Sequence, residues 1–121
     1  MIERIDGAPA GVLAYRAVGE VTLADYTQVL KPALDTAVAG GRKIRAVIVI
    51  GPEYTGHQSG IKKEDLGLSL GFLRKLERVA VVADSQGIHD LMRRFSWMLG
   101  KRVRHFPVAE LPAAMGWAAG R

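Results

Sequence analysis

The sequence predicts one α/β domain spanning residues 1–121, with a mainly parallel five-stranded sheet and one antiparallel strand at its N-terminal edge. Helical and strand patterns alternate along most of the chain, which is typical of parallel sheets with right-handed crossovers. Two segments, Ile44–Ile50 and Arg78–Ala83, are rich in apolar β-branched residues on consecutive positions, as strands covered on both faces are. A turn-rich hexapeptide, residues 6–11, separates the first two strand patterns and indicates a hairpin.

The first half of the chain predicts three strands and one helix, and the third strand is Ile44–Ile50. The first two strand patterns are Ile2–Ile5 and Val12–Val18, and the hairpin between them accounts for the antiparallel edge strand. Apolar residues recur at helical spacing over Thr22–Ala39, where the opening threonine is a preferred N-cap and Asp25 stands three residues later. Pro32 lies inside this helix and predicts a bend, because proline cannot donate the helical hydrogen bond.

The second half predicts a loop, three helices and two more strands, giving the order β-β-α-β-α-β-α-β-α. A loop at Gly51–Gly60 leads to a helix at Lys62–Leu76, whose leucines also alternate as in a strand. The helix is preferred because two parallel strands need a crossover connection. An amphipathic helix is expected over Gln86–Leu99, followed by a strand at Arg102–Phe106 and a last helix at Ala109–Ala119.

Composition narrows the function classes. The chain has no cysteine, which excludes disulfides and thiolate chemistry, and its first residues lead us to expect no signal peptide. Its longest apolar run, Ala46–Ile50, is too short to span a bilayer, so we expect a cytoplasmic protein without a transmembrane segment. The net charge of +5 is spread over short Lys and Arg pairs, which favours solubility over nucleic-acid binding.

Five segments carry a resemblance to a known family that extends over nearly the whole chain. They are Gly11-Val12-Leu13, Val21 to Tyr26, Leu30 to Leu34 with its internal proline, Glu77 to Asp84, and Val103 to Pro107 leading to Met115-Gly116-Trp117. In order and spacing the chain resembles the SpoIIAA-like family of the STAS superfamily, a fold also compared with CRAL-TRIO lipid-binding domains.

The resemblance implies a sheet with helices mostly on one face. Because the Val/Ile-rich strands look buried on both faces, we expect a second copy of the chain to cover the open face in a homodimer.

STAS antagonists are phosphorylated on a hydroxyl within an Asp-Ser-Ser/Thr-Gly-Leu-like segment. Here the nearest match is Gln58-Ser59-Gly60-Ile61, which lacks the acidic residue. Ser59 is therefore either a phosphoacceptor at a helix N-terminus or simply the N-cap of the Lys62–Leu76 helix.

The sequence offers no convincing catalytic or metal centre. A triad of His57, Ser59 and Asp84 would lack the Gly-x-Ser-x-Gly turn that presents a nucleophilic serine. The three histidines, at positions 57, 89 and 105, have none of the close spacings typical of zinc sites. We therefore expect a non-enzymatic protein without a cofactor or bound metal.

A binding site is expected at the carboxyl ends of the strands, where parallel α/β sheets bind ligands. The candidate residues for a ligand or partner surface are Tyr54, His57, Asp84, Ser85 and Trp97. Asp84 or Ser85 would alternatively cap the following helix, and Trp97 would alternatively belong to the peripheral core. Two functions remain open: a STAS-like protein-interaction or regulatory module, or a binder of a small apolar or lipid-like ligand held between the Lys62–Leu76 helix and the sheet.

Overall fold

Seven strands form two sheets in the computed structural model, which describes residues 1–62, 71, 74–94 and 96–120. The strands are β1 (Ile2–Arg4), β2 (Leu13–Ala17), β3 (Gly19–Val21), β4 (Ile44–Ile50), β5 (Tyr54–His57), β6 (Leu76–Ala83) and β7 (Val103–Phe106). The larger sheet has the order β1-β2-β4-β6-β7, and the smaller sheet pairs β3 with β5.

The five-stranded sheet confirms the predicted fold class. Strand β1 is antiparallel to β2, and every other neighbouring pair in this sheet is parallel. The two Val/Ile-rich segments lie side by side in the same direction, with Val47 opposite Ala80 and Val49 opposite Val82. Consecutive β-branched residues therefore identified the centre of the sheet correctly.

The predicted loop Gly51–Gly60 contains a strand instead. Residues Tyr54–His57 form β5, which runs parallel to β3 in a separate two-stranded sheet. A register shift between Gly19 and Glu20 interrupts the pairing, and opposite it Gly56 has a φ of 137°, which favours glycine. Strands this short have too few residues to show the alternation by which a sequence pattern reveals a strand.

The helix predicted over Lys62–Leu76 falls mainly on residues outside the described part of the chain. Its predicted end is wrong, because Leu76 already pairs with Ile44 as the first residue of β6. Tertiary pairing with β4 thus extends the strand two residues beyond the apolar run that predicted it.

The first helical segment follows the prediction in extent and contains a π-helical turn before Pro32. It comprises α1 (Leu23–Asp25), a π-helical turn (Tyr26–Leu30) and α2 (Lys31–Ala39). The Lys31 N–H donates to the Tyr26 carbonyl five residues earlier. A widened turn therefore precedes Pro32, where the proline ring would crowd the carbonyl of a regular helix.

The remaining helices are α3 (Gln86–Arg94), α4 (Ser96–Leu99) and α5 (Leu111–Ala118), with 3-10 turns at Gly100–Arg102 and Val108–Glu110. Helices α3 and α4 together span the range predicted as one helix. Helix α5 begins two residues later than predicted, because the 3-10 turn occupies the first residues of that range.

Helices cover both faces of the five-stranded sheet. Side chains alternate along β4, so Val47 and Val49 face one side while Ile44 and Ala46 face the other. Ala114 and Ala118 of α5 pack against the first side. On the second side Leu34 of α2 packs against Ile44 and Ala46. Burial of the strands on both faces therefore needs no partner subunit, and the homodimer stays a prediction.

Candidate functional site

An apolar cavity of about 290 Å³ lies at the carboxyl ends of β2 and β4, the edge of the sheet where a site was predicted. Its floor comes from alternate residues of these strands on the face that also carries α2. The wall is completed by the π-helical turn and by the small β3–β5 sheet. The lining residues are Ile2, Tyr15, Arg16, Ala17, Val21, Leu30, Ile48, Ile50, Tyr54 and His57.

Tyr54 and His57 form a polar pair in this mainly apolar wall. The Tyr54 hydroxyl lies 3.4 Å from Nδ1 of His57, and both residues belong to β5. Tyr54 is half-buried and His57 is exposed, so the pair lies where the cavity meets solvent. The structure thus brings together two of the residues that the sequence singled out, and it supplies one hydrogen-bonding point in an apolar recess.

Gln58 fixes the end of β5 against the start of the first helix. Its backbone N–H donates to the Val21 carbonyl at 2.8 Å, and its side-chain Oε1 accepts a hydrogen bond from the Leu23 N–H at 2.9 Å. The next residue, Ser59, is exposed in a turn and has no hydrogen-bond partner among the described residues. The helix that Ser59 was predicted to cap lies outside those residues, so both of its predicted roles stay predictions.

A capping box begins the helix that borders the cavity. Asp25 N–H donates to Thr22 Oγ1 at 3.1 Å, and Thr22 N–H donates to Asp25 Oδ2 at 2.7 Å. The Met1 ammonium lies 3.2 Å from the same carboxylate and donates to the carbonyls of Val18 and Glu20. The backbone hydrogen bond from Thr22 holds the pKa of Asp25 below its ordinary value of 3.8, and the ammonium adds to this effect.

Asp84 and Ser85 lie at the end of β6 and make contacts that hold the fold. Asp84 Oδ1 accepts a hydrogen bond from the Val108 N–H at 2.9 Å, which ties this end of β6 to the turn after β7. Ser85 Oγ accepts from the Ile88 N–H at 3.5 Å, at the start of α3. Neither residue lines the cavity. Their predicted role as a ligand or partner surface remains untested.

The histidines do not gather into one site. His105 Nε2 donates to the Ala83 carbonyl at 2.7 Å, and its ring centre lies 5.2 Å from that of His89. His57 instead lies at the cavity. Among the described residues, no group of three or more His, Cys, Asp or Glu side chains is arranged to hold a metal ion.

Trp97 of α4 is 80% exposed, so its alternative assignment to the peripheral core is wrong. The tryptophan that packs at the periphery is Trp117 of α5. Its ring lies 5.8 Å from that of Phe106, and the Arg78 guanidinium lies 5.4 Å from its centre.

Sequence reasoning missed most of the cavity wall. Tyr15, Leu30, Ile48 and Ile50 were read only as apolar residues of strands and a helix. For Ile48 and Ile50 the signal that could have found them is their position near the carboxyl end of a predicted strand.

A larger depression of about 550 Å³ lies at the other end of β2, between the hairpin turn of residues 6–11 and the second half of α2. It is more polar, and none of the predicted site residues lines it. Because it lies at the amino ends of β2 and β4, it is the less suitable end of a parallel sheet for a site. The smaller, apolar cavity is the better candidate.

A family profile described as SpoIIAA-like matches residues 12–119. The chain belongs to the SpoIIAA-like family. A search of curated proteins finds no match. In the part of the SpoIIAA-like chain that the structure describes, no helix combines the length and the hydropathy needed to cross a membrane.

Solved structures agree with this assignment. A protein of the DUF3478 family from Shewanella loihica, described as uncharacterised with a SpoIIAA-like fold, is 26% identical. The alignment covers 98% of this chain and 95% of that one, with a TM-score of 0.66.

Two structures of SpoIIAA itself also share the fold. The anti-sigma factor antagonist SpoIIAA in its unphosphorylated form is 17% identical over the full length of both chains, with a TM-score of 0.61. The Bacillus cell fate determinant SpoIIAA in its phosphorylated form is 18% identical, with a TM-score of 0.54, over 93% of this chain and 97% of that one. At this identity the likeness concerns the fold.

Proposed function

We propose that this chain is a non-enzymatic protein-interaction module that docks through the end of β5 and the turn carrying Ser59, in a pathway that the fold does not identify. The observation that carries the proposal is that hydrogen bonds hold Gln58, the residue directly before this serine. Gln58 binds both Val21 and Leu23, so the backbone that leads into the exposed Ser59 is held in place. A preorganised surface of this kind binds a partner with little ordering cost.

The family supports a protein partner and a modifiable serine. SpoIIAA, which has the same fold, is an anti-sigma factor antagonist with structures in unphosphorylated and phosphorylated forms. The Ser-Gly-Ile of residues 59–61 is the nearest match here to the phosphorylated segment of STAS antagonists. A phosphate on Ser59 would add about two negative charges to a surface near the first turn of α1. Phosphorylation would thereby switch the docking surface in a cytoplasmic protein.

The docking surface is tested with a photo-crosslinking residue placed at Ser59 in cells that naturally make the protein. A matched control carries the same residue at Thr36, which is exposed on α2. The proposal expects one reproducible adduct with another protein species from position 59 and none from position 36. Equal or absent adducts at both positions would contradict it.

The switch is tested by measuring the intact mass of the protein recovered from the same cells. We expect a fraction with one added phosphate, which disappears in Ser59→Ala and persists in the control Ser85→Ala. A protein that never carries phosphate on Ser59 would leave the docking role in place but remove the switch.

A second function, binding of a small apolar ligand, is favoured by the cavity bordered by Tyr54 and His57. Its volume of about 290 Å³ is at the lower end for ligand sites, which suits a compact molecule with one polar group rather than a long acyl chain. Native mass spectrometry should find added mass on the purified protein. The added mass should be lost in Ile50→Trp, which fills the cavity, and kept in Val29→Trp, which adds the same ring on the surface.

The homodimer is a separate proposal. Light scattering at high micromolar concentration should give twice the mass of the chain. A monomer at that concentration would contradict it.

A further inference from the structure

Cations gather around the larger depression, between the hairpin turn and the second half of α2. Its volume of about 550 Å³ lies within the range of small-molecule sites. Among the described residues that line it, four are basic and one is acidic: Arg4, Arg42, Lys43, Arg45 and Asp6. The depression therefore has an excess of positive charge, in contrast to the apolar cavity at Tyr54.

The charge of Arg45 is already neutralised by the protein. Its guanidinium donates to Glu77 Oε1 at 2.8 Å and to the Ala119 carbonyl at 2.7 Å. The hydrogen bond from Arg45 holds the pKa of Glu77 below its ordinary value of 4.5, and the charges of Arg45 and Lys43 add to this effect. Glu77 is thus ionised at neutral pH and balances Arg45.

The other three cations of the depression are not neutralised in this way. Arg4, Arg42 and Lys43 are exposed, and none of them forms an ion pair with a described acidic side chain. With the carboxylate of Asp6 included, and Arg45 balanced by its partner, the wall keeps two net positive charges. Like charges around one recess repel each other, and an anion between them relieves that repulsion.

The end of α2 also borders the depression, but its carbonyls do not occupy these cations. The carbonyls of residues 36–38 accept hydrogen bonds from the backbone N–H groups of residues 40–42, at 3.0 to 3.2 Å. Backbone groups therefore satisfy the end of the helix, as they do in other helix C-terminal turns. The side chains of Arg42 and Lys43 are not needed as caps and are available to a ligand.

An apolar surface lies beside the cations. Leu13 and Tyr15 of β2 line the depression together with Ala33 and Ala37 of the first helical segment. Arg4 of β1 lies directly opposite Tyr15 in the antiparallel β1–β2 pair. Directly opposite residues of such a pair have their side chains on the same face of the sheet, with Cβ atoms about 5 Å apart. A cation and an apolar surface are thus adjacent, which suits a ligand with an anionic group and an apolar body.

The hydroxyl of Tyr15 is a further group that a ligand can satisfy. Tyr15 is only 6% exposed, and its hydroxyl has no hydrogen-bond partner among the described residues. In that part of the chain, no completely buried side-chain polar atom lacks a partner, so this hydroxyl still reaches open space. Tyr15 lines both the depression and the apolar cavity. It therefore provides a donor without a protein acceptor where the two recesses adjoin.

We propose that the larger depression binds a small organic dianion with an apolar body, the class to which phosphate monoesters belong. A phosphate monoester carries about two negative charges at neutral pH, which matches the net charge of the wall. Guanidinium groups bind phosphate oxygens through paired hydrogen bonds, and an ammonium group adds a point charge. The site uses neither Ser59 nor the volume of the apolar cavity, so its failure would leave both proposed functions unchanged.

A polyanion fits the depression less well. The cations stand around a recess between the hairpin turn and α2, whereas nucleic-acid sites usually offer a stripe or a whole face of basic side chains. A recess of this size encloses a small molecule and its terminal anionic group. The geometry therefore favours a small ligand.

The test is titration calorimetry of the purified full chain with naphthyl phosphate, which joins two aromatic rings to one phosphate. We expect saturable binding to one site per chain, weakened as salt is raised. Naphthol, with the same rings and no charge, should bind roughly tenfold more weakly or not at all. Naphthoate, with a single negative charge, should bind with intermediate affinity. The variants Arg42→Gln/Lys43→Gln and Arg4→Gln should each bind naphthyl phosphate roughly tenfold more weakly.

Matched controls separate the depression from net charge and from the other recess. Arg93→Gln/Arg94→Gln removes an equally exposed cation pair that does not line the depression, with the same change in net charge, and should bind like the unmodified chain. Ile50→Trp fills the apolar cavity, the alternative place for the rings, and should also leave binding unchanged. Circular dichroism checks that every variant folds.

Four results would overturn the proposal. The first is an absence of saturable binding of naphthyl phosphate, and the second is equal binding of naphthol. The third is a loss of binding that is the same in the two double variants, or that occurs only in Ile50→Trp, since the ligand would then follow net charge or occupy the apolar cavity. The fourth is binding of a single-stranded oligonucleotide that depends on Arg42 and Lys43 without binding of naphthyl phosphate.

Discussion

The side chain of Gln58 accepts a hydrogen bond from the Leu23 backbone N–H at 2.9 Å, which joins the end of β5 to the first turn of helix α1. The backbone N–H of Gln58 meanwhile donates to Val21 at the end of β3. One residue thus satisfies an otherwise open donor at a helix N-terminus and closes the small sheet beside the cavity.

Removing this side chain should loosen the region. We expect Gln58→Ala to lower the free energy of unfolding by about 1 kcal/mol, because the Leu23 N–H loses its acceptor. Gln58→Glu keeps an acceptor oxygen and places negative charge at the helix N-terminus, so it should stay within a few tenths of a kcal/mol of the original. Urea unfolding measures both values. Equal stabilities for the alanine variant and the unmodified chain would show that the contact contributes nothing.

The depressed pKa of Asp25 predicts a loss of stability in acid. Because the carboxylate accepts a hydrogen bond from Thr22 N–H, its folded pKa lies below the ordinary value of 3.8. Its contribution is therefore complete above the unfolded pKa and disappears as pH falls through the lower folded pKa.

Asp25→Asn, which keeps an oxygen acceptor without the charge, isolates this effect. The difference in free energy of unfolding between the original chain and the variant should be constant above about pH 5 and shrink below pH 4. Urea unfolding across this range measures it. A difference that does not change with pH would refute the assignment to Asp25.

Asp84 should prove to be a structural residue whichever surface binds a partner. Asp84→Ala removes the acceptor of the Val108 N–H, and we expect about 1 kcal/mol less stability. Asp84→Asn retains an acceptor oxygen and should lose only a fraction of that. Chemical denaturation gives the comparison. If both variants were as stable as the original, the 2.9 Å contact would not hold β6 to the turn after β7.

Two isoleucines of β4 should respond differently to the loss of one methylene group. Ile44 is 1% exposed and packs against Leu34, whereas Ile50 is half-buried and borders the apolar cavity. Ile44→Val should lower the free energy of unfolding by about 1 kcal/mol, because it leaves a gap in close packing. Ile50→Val should change it by less than half that amount, since the lost contact faces existing space. Thermal unfolding of the two variants measures the contrast, and equal losses would argue against an open cavity.

Much of the fold could be predicted from short-range patterns. The hairpin follows from the turn residues at 6–11, and the parallel pair of β4 and β6 follows from their unbroken β-branched runs. The capping box of Thr22 and Asp25 is also a local pattern, and the structure contains it. Only three residues of β3 and four of β5 take part in the small sheet, so no periodicity marked it in advance.

The candidate site was predictable in its place but not in its composition. Strand direction put it at the carboxyl edge of the sheet, and Tyr54 and His57 lie there at the cavity. Asp84 and Ser85 lie at the same edge. Ser85 accepts from the Ile88 N–H, in agreement with the predicted capping role, whereas Asp84 accepts from the distant Val108 N–H, a contact that residue type alone does not reveal.

By itself the sequence determined the five strands of the larger sheet and their mainly parallel arrangement, because hydrophobic periodicity and turn chemistry act between residues close along the chain. Tertiary structure alone decided that Tyr15, Ile48 and Tyr54 share one cavity and that Trp97 faces water while Trp117 packs on Phe106. These relationships join residues far apart in the chain, and they depend on how helices and sheets stack, which local patterns do not encode.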